Sequence, residues 1–341
     1  MHRTARPTLR VITDELDADW GGPFVRRTVM DGRPGDALPF TGLDHPLLRK
    51  AAESFGEDQT EDTHAGTIKS VSSKTFFEIR AGQWRGAIWI DAAGVCWVVA
   101  AGLAKGGHED RDDFYKALER REQNESMAAL LPTEDDTLLW KRERASALVG
   151  EWHLDIQRAL TTHLRTVATG GYVEFDVPRP AATTDSSQSS TIAHVGLKVV
   201  RYVEDDDNWE EVVIDVQEQP GWKGSRTTTG LRNTLLAVLH PPETDWDAYF
   251  GESRASFSNM LPTGTLERRV AKLSALNGQG IRALSEPTTH AHYVHRRNLA
   301  LRTINGTGAR SLCGVYFVPR QDHEAMPQCP ECSALYAQAR E

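Results

Sequence analysis

Three closely spaced apolar stretches dominate the first third of the chain. Thr75 to Arg80 and Trp84 to Ile90 alternate apolar and polar positions, the period of half-buried strands, whereas Val95 to Ala101 is continuously apolar, as a central strand is. Asp91-Ala92-Ala93-Gly94 separates the last two with turn-forming residues and predicts a hairpin. The loop Lys105-Gly106-Gly107-His108 leads into an amphipathic helix from about Asp110 to Arg121. That helix puts Phe114, Tyr115 and Leu118 on one face and gathers Glu109, Asp110, Asp112 and Asp113 at its positive end. Upstream, Pro46 to about Phe55 reads as a short helix with Asp44 as its N-cap, and strands are expected at Leu9-Arg10-Val11-Ile12 and around Phe24-Val25.

Leu130-Leu131-Pro132-Thr133 closes this block. Thr137-Leu138-Leu139-Trp140 opens the next, followed by a long helix from about Arg144 to Val167 that Gly170-Gly171 ends. Strands are expected over Gly171 to Val177, Ala193 to Val203 and Glu210 to Val216, the last two joined by the acidic turn at Glu204 to Asn208. Pro178 to Ser190, rich in Ala, Thr and Ser, reads as a flexible loop. Helices at Leu231 to Leu239 and Thr265 to Leu276 stop at Pro241-Pro242 and Asn277-Gly278-Gln279-Gly280. Strands and helices gathered in blocks predict an α+β fold. Three modules are expected: residues 1–133 with a sheet, a helix and an extended N-terminal segment; an acidic α+β domain over 134–285; and a small C-terminal module over 286–341.

Composition narrows the functional classes. With 39% hydrophobic and 26% charged residues the chain reads as an ordinary globular protein, and no apolar run approaches the roughly 18 residues of a membrane helix. The N-terminus has no apolar segment of the signal-peptide kind, so a cytoplasmic location is expected. Cys96, within Val95-Cys96-Trp97-Val98-Val99, reads as an inert core thiol in a reducing compartment. The net charge of −9 excludes a protein that coats nucleic acid non-specifically. That charge is uneven: residues 134–290 carry most of the excess acid, residues 67–133 balance, and residues 291–341 are slightly basic.

The last fifty residues hold the strongest chemical signal. Of four cysteines, three lie there: Cys313, and the pair Cys329 and Cys332 in Gln-Cys-Pro-Glu-Cys. Cysteines spaced as CxxC turn both sulfurs toward one ion, and a further thiolate and an imidazole complete the tetrahedral set that structural zinc prefers. His290, His292, His295 and His323 all lie near enough in sequence to supply the imidazole. His292-Tyr293-Val294, Leu312-Cys313-Gly314, Val318-Pro319 and Cys329-Pro330-Glu331-Cys332 with Tyr336 behind resemble a short domain-of-unknown-function family, DUF3039, over residues 286–341. The resemblance implies zinc binding and no known activity, and selects His292, inside the His-Tyr-Val match, as the fourth ligand. A zinc-ribbon-like clasp with structural Zn2+ on His292, Cys313, Cys329 and Cys332 is therefore expected. With all four positions filled by protein, no open position remains for catalysis.

Residues 74–121 carry a second pattern. Phe77-Glu78-Ile79-Arg80, Trp84-Arg85-Gly86, Ile88-Trp89-Ile90, Trp97-Val98-Val99-Ala100-Ala101-Gly102 and Lys105, followed by an amphipathic helix, are similar in order and spacing to the RelE and HigB ribonuclease toxins. The resemblance implies a toxin-like sheet-and-helix unit acting on RNA without a metal. Attack by an RNA 2′-OH needs a base, cations around the phosphate and a donor for the leaving oxygen. The candidates are Arg85 as a bidentate phosphate clamp, Lys105 against developing charge, His108 for proton transfer, and Arg80 and Arg111 as further cations. A bland expectation stands beside this one, with Arg80 and Lys105 as outward residues paired with Glu78 and Asp110. The expected function is thus an RNA-directed protein with a structural zinc module, a metal-independent endoribonuclease in its sharpest form. The alternative is a non-catalytic zinc-containing interaction or nucleic-acid-binding protein with a protein partner.

Overall fold

The computed structural model describes residues 3–55, 59–105, 110, 112–124, 126–181, 189–204, 207–251, 254–296, 299, 303, 309–317, 319, 324, 326 and 327–339. The fold is α+β and divides into two compact units, Met1–Ser146 and Ala147–Glu341.

In the first unit the predicted strands form as β2 (Phe77–Ala81), β3 (Trp84–Ile90) and β4 (Cys96–Leu103), antiparallel in sequence. Asp91 shapes the β3–β4 turn: one carboxylate oxygen accepts from the amides of Ala93 and Val95, and the other accepts from Trp97 Nε1 at 3.1 Å. Both faces of the sheet are covered, which is why β4 reads as unbroken apolar sequence. Ile79, Trp84, Ile88, Cys96 and Val98 pack with Leu47 and Leu48, while Ala87, Trp97, Val99 and Ala100 pack with Phe114 and Leu118. The β3–β4 register passes from Ala87↔Ala100 to Ile88↔Val98, so Val99 is an extra residue, a bulge that turns both Val99 and Ala100 to the same side. Burial pushes the Cys96 thiol up to about 11, which makes it the inert core thiol expected.

The N-terminal expectations are corrected. The strand is β1 (Arg6–Pro7), parallel to β4, and Val11–Glu15 is a turn of π-helix rather than a strand. Phe24-Val25 lies in a helix, α1 (Pro23–Met30), whose proline sits at the first turn, where a missing N–H is harmless. Helix α2 (Pro46–Ser54) forms as predicted but is capped by His45, whose Nδ1 accepts from Leu47 N at 3.2 Å; Asp44 pairs with Arg49 instead. Pro46 at the first helical position makes its predecessor the cap, and burial holds His45 below its ordinary pKa, in the neutral form able to accept. Helix α3 (Phe114–Gln123) starts later than expected because Asp113 is its cap, accepting from the amides of Tyr115 and Lys116.

Thr133 and Asp136 form a reciprocal cap that starts α4 (Glu134–Val167), one 34-residue helix where a short opening and a separate helix were expected. Its N-terminal part lies in the first unit, and the rest in the second.

The second unit is a five-stranded antiparallel sheet of β5 (Gly171–Pro178), β6 (Thr191–Glu204), β7 (Asp207–Glu218), β8 (Asp247–Phe250) and β9 (Arg254–Pro262), in the order β5-β6-β7-β9-β8. The anticipated β6–β7 hairpin forms, whereas β8 and β9 were not anticipated. The predicted loop at 178–190 falls partly outside the described residues, at 182–188. Val195, Leu197, Val199, Val212, Ile214 and Val216 bury one face of the sheet with residues of α4, α5 (Arg226–Leu239) and α6 (Thr265–Gln279). The fully buried Glu210 caps α6 from a distant strand, accepting from Leu266 N at 2.7 Å and Gly264 N at 3.1 Å.

His153 on α4 is buried, with Nδ1 2.7 Å from Thr234 Oγ1. Burial, with the Arg282 charge adding to it, lowers its pKa from 6.5 to about 4. The folded state thus binds the proton less tightly than the unfolded state, so His153 contributes stability above pH 6.5 and loses it as pH falls toward 4. The contribution is on the order of 3 kcal/mol at most. Urea unfolding of the second unit at pH 7 and pH 4.5 is expected to show a drop that His153→Gln flattens; an unchanged drop in the variant would place the acid sensitivity elsewhere.

Candidate metal centre

The C-terminal segment folds back on itself through a few backbone bonds. Ala291 bridges the 327–329 segment, its N donating to Pro327 O and its O accepting from Cys329 N, both at 2.9 Å, and Leu312 N donates to Tyr293 O at 2.7 Å. Short strands β10 (Ala309–Arg310) and β11 (Tyr316–Phe317) flank a tight turn in which Ser311 N donates to Val315 O and Gly314 N to Ser311 O. Gly314 adopts φ 93°, a left-handed conformation that glycine takes without strain. The turn presents Cys313. Cys329 stands at the N-cap of α7 (Pro330–Gln338) and Cys332 in its first turn, so both sulfurs lie at the positive end of a helix, where thiolates are favoured.

These elements bring His292, Cys313, Cys329 and Cys332 together, with ligand atoms all within 4.8 Å of one another. Nδ1 of His292 faces the sulfurs, 3.4 Å from Cys313 Sγ and 3.7 Å from Cys332 Sγ. Zinc bonds of about 2.0 Å to nitrogen and about 2.3 Å to sulfur in a tetrahedron place neighbouring ligands roughly 3.5 to 3.8 Å apart, the range in which these two distances from His292 fall. Cys329 and Cys332 are buried, and the His292 ring rests 5.3 Å from that of Phe317. Burial alone would raise the Cys313 thiol, but hydrogen bonds from Ser311 Oγ, at 3.1 Å, and the Val315 amide bring it below its ordinary value. The four residues could hold a metal ion. Of the competing histidines, His290 and His295 are not in this group, and His323 lies outside the described residues.

The segment docks within the second unit. Glu286 N donates to Pro241 O and Glu243 N to Glu286 O, while Ser285 Oγ donates to Glu243 Oε1 at 2.6 Å. Phe317 and Trp246 line a cavity of about 20 Å³ at this junction, space for a single water.

The arginine-bearing sheet resolves differently. Arg80 and Arg85 are cross-strand partners and so share a face, as expected. Glu78, on the same face two residues before Arg80, takes both up. Its oxygens accept from Arg80 Nε at 2.8 Å and Arg80 Nη2 at 2.7 Å, Arg85 Nε stands 3.7 Å away, and Tyr115 Oη donates to Oε1. Arg85 Nη1 also donates to the Gly82 and Trp84 carbonyls. Lys105 Nζ bonds Asp110 at 2.8 Å. The bland pairing of Arg80 with Glu78 and Lys105 with Asp110 is therefore what forms. His108 and Arg111 lie outside the described residues. Glu78 is the residue that the site expectation left out of its catalytic set, although Phe77-Glu78-Ile79-Arg80 already places it one strand period from Arg80.

Burial pushes the Glu78 carboxyl up, but hydrogen bonds from Arg80 and Tyr115 and the charges of both arginines outweigh it and hold the group below its usual 4.5. With a depressed folded pKa, its contribution is present above about pH 4.5 and lost as pH falls below. Glu78→Gln is expected to cost the first unit about 1–3 kcal/mol at pH 7 and nothing further on acidification, read by urea unfolding at pH 7 and pH 3.5.

Residues 284–339 match the family model described as Protein of unknown function (DUF3039). The match spans the clasp, and neither a curated protein nor a solved structure matches the chain. Nothing in these comparisons supports the toxin likeness of residues 74–121.

Proposed function

We propose that this chain is a non-catalytic binding protein whose residues 286–341 form a module held together by structural Zn2+, bound by His292 Nδ1 and the thiolates of Cys313, Cys329 and Cys332. The single observation that carries the reading is the donor set: three sulfurs and one imidazole gathered within 4.8 Å of one another, with Cys329 and Cys332 buried. Four protein ligands leave no position for water or substrate, so bound zinc would supply folding free energy and no Lewis acid. Arg80 and Arg85 share the single carboxylate of Glu78 and Lys105 pairs with Asp110, so each already has a carboxylate partner that a phosphate would have to displace. The division into a sheet-and-helix module, an acidic α+β domain and the clasp is part of the same reading.

Elemental analysis of the full chain is expected to find one zinc per molecule, and almost none in Cys329→Ser. Unchanged zinc in the variant would remove this ligand assignment. The second reading, an RNA-directed ribonuclease, is favoured by the placement of Arg80 opposite Arg85 on one face. RNA incubated with the protein in EDTA is expected to remain intact; cleavage that Arg85→Ala abolishes would reverse the order of the two readings.

A further inference from the structure

Among the described residues, the second unit's sheet ends on two unpaired edges of unequal length: β8, with four residues, and β5, with eight. Folded proteins usually shorten or cover such an edge, because its unpaired N–H and C=O groups will pair with any extended chain. Beside β5, between it and α4, runs a cleft of about 390 Å³. Its walls are apolar, from Trp152, Ile156 and Ala159 of the helix and Phe175 and Val177 of the strand. Trp152 Nε1 donates to Pro178 O at 2.8 Å and fixes the strand's end against the helix. The rim carries Glu151 and Asp155, exposed one turn apart on α4, with Asp155 paired to Arg158 at 2.9 Å, and Arg179 lines the cleft as well, so the acid there is only partly offset. On the opposite face of β5, Glu174 and Asp176 are exposed, Glu174 accepting from Tyr172 Oη and Asp176 meeting His194 Nδ1.

This arrangement selects an occupant. A second copy pairing antiparallel about Phe175 would set Glu174 opposite the copy's Asp176, and like charges directly across a ladder repel. A strand alternating apolar and basic residues meets both faces at once: apolar side chains enter the cleft, and basic ones lie against Glu174 and Asp176 or reach the rim at Glu151 and Asp155. We propose that the β5 edge is a docking site for an extended basic-apolar peptide segment of a partner protein, bound by strand addition. This gives the binding role proposed above a surface and a partner and rests on that reading. It uses no clasp residue, so a failed peptide titration alongside intact zinc stoichiometry would remove this inference alone.

The test uses the full chain and fluorescein-labelled Lys-Val-Lys-Leu-Lys-Val-Lys, read by anisotropy and by amide exchange of residues 171–178. The peptide is expected to bind and to slow exchange along β5. Its all-glutamate counterpart, a form N-methylated at alternate amides, and the double variant Glu151→Lys/Asp155→Lys should each bind about tenfold more weakly or not at all. The rim variants sit on an exposed helix face, so their fold is checked by unchanged circular dichroism. Absence of binding, binding indifferent to N-methylation, or exchange unchanged along β5 would overturn the proposal. So would a chain that sediments as a dimer through this edge, since a second copy would then be its occupant.

Discussion

Cys332→Ser is expected to release the metal and unravel the clasp while the five-stranded sheet stays folded. The segment's own packing is thin: Phe317, Cys329 and Cys332 are its large buried side chains among the described residues, and β10 and β11 are two residues each. Structural zinc supplies roughly 10–16 kcal/mol in small metal-dependent domains, far above what so little buried surface provides. Zinc affinity, measured by competition with a chromophoric chelator, should fall more than about a hundredfold, a loss larger than removing an outer hydrogen bond would cause. The amides of Ser311, Leu312 and Cys329, each in a backbone bond here, should become fast to exchange. Chelator treatment of the unaltered protein should reproduce the same pattern. Retained protection in the metal-free protein would mean that packing alone holds the clasp.

The second large effect falls on Glu210. Its carboxylate is fully buried, accepts two amide hydrogens at the start of α6, and lies 3.7 Å from Arg201. Glu210→Ala leaves both amides without their acceptor inside the protein, at about 1–3 kcal/mol for each, while the part-exposed Arg201 keeps Glu267 at 2.9 Å. Glu210→Gln keeps one carbonyl oxygen and should lose less. Glu211→Ala, on the opposite face where the carboxylate meets Tyr202 at 2.9 Å, should stay within about 1 kcal/mol. Urea unfolding of the second unit checks all three; equal losses for Glu210→Ala and Glu211→Ala would show that the buried cap contributes nothing special.

Legibility followed the physics of each element. Strands β2 to β4, β6 and β7 were readable because their apolar residues repeat at the strand period or run unbroken where both faces are covered. Strand β9 has the same alternation, Ala255, Phe257, Asn259 and Leu261 buried with more exposed residues between, but Ser256, Ser258 and the buried Asn259 lowered its apparent strand character. The N-terminal segment was misread because its conformation is set by distant partners. Arg6, for example, is buried with Glu143 3.3 Å away and stacks over Phe40 and Trp97, none of them near it in sequence. The clasp was legible because metal chemistry dictates residue type and spacing together. The arginine-bearing sheet was legible as a face and not as a role, since whether Arg80 and Arg85 are free cations depends on Glu78, whose burial no local pattern reveals.

The tie between the chain's beginning and α4 has a consequence for synthesis. Leu9 N donates to Asp136 Oδ1 at 2.7 Å, and Arg6 meets Glu143, so although β4 is made well before, these α4 contacts become available only after about 140 residues exist. At translation speeds of about 5–20 residues per second, the N-terminal segment waits on the order of ten to thirty seconds before it can lock into place. During that interval β1 can meet β4 but lacks the α4 contacts that hold it there. The first unit is therefore most exposed to misassociation while it is being made, and any helper that shelters it would be needed early in its life rather than after release.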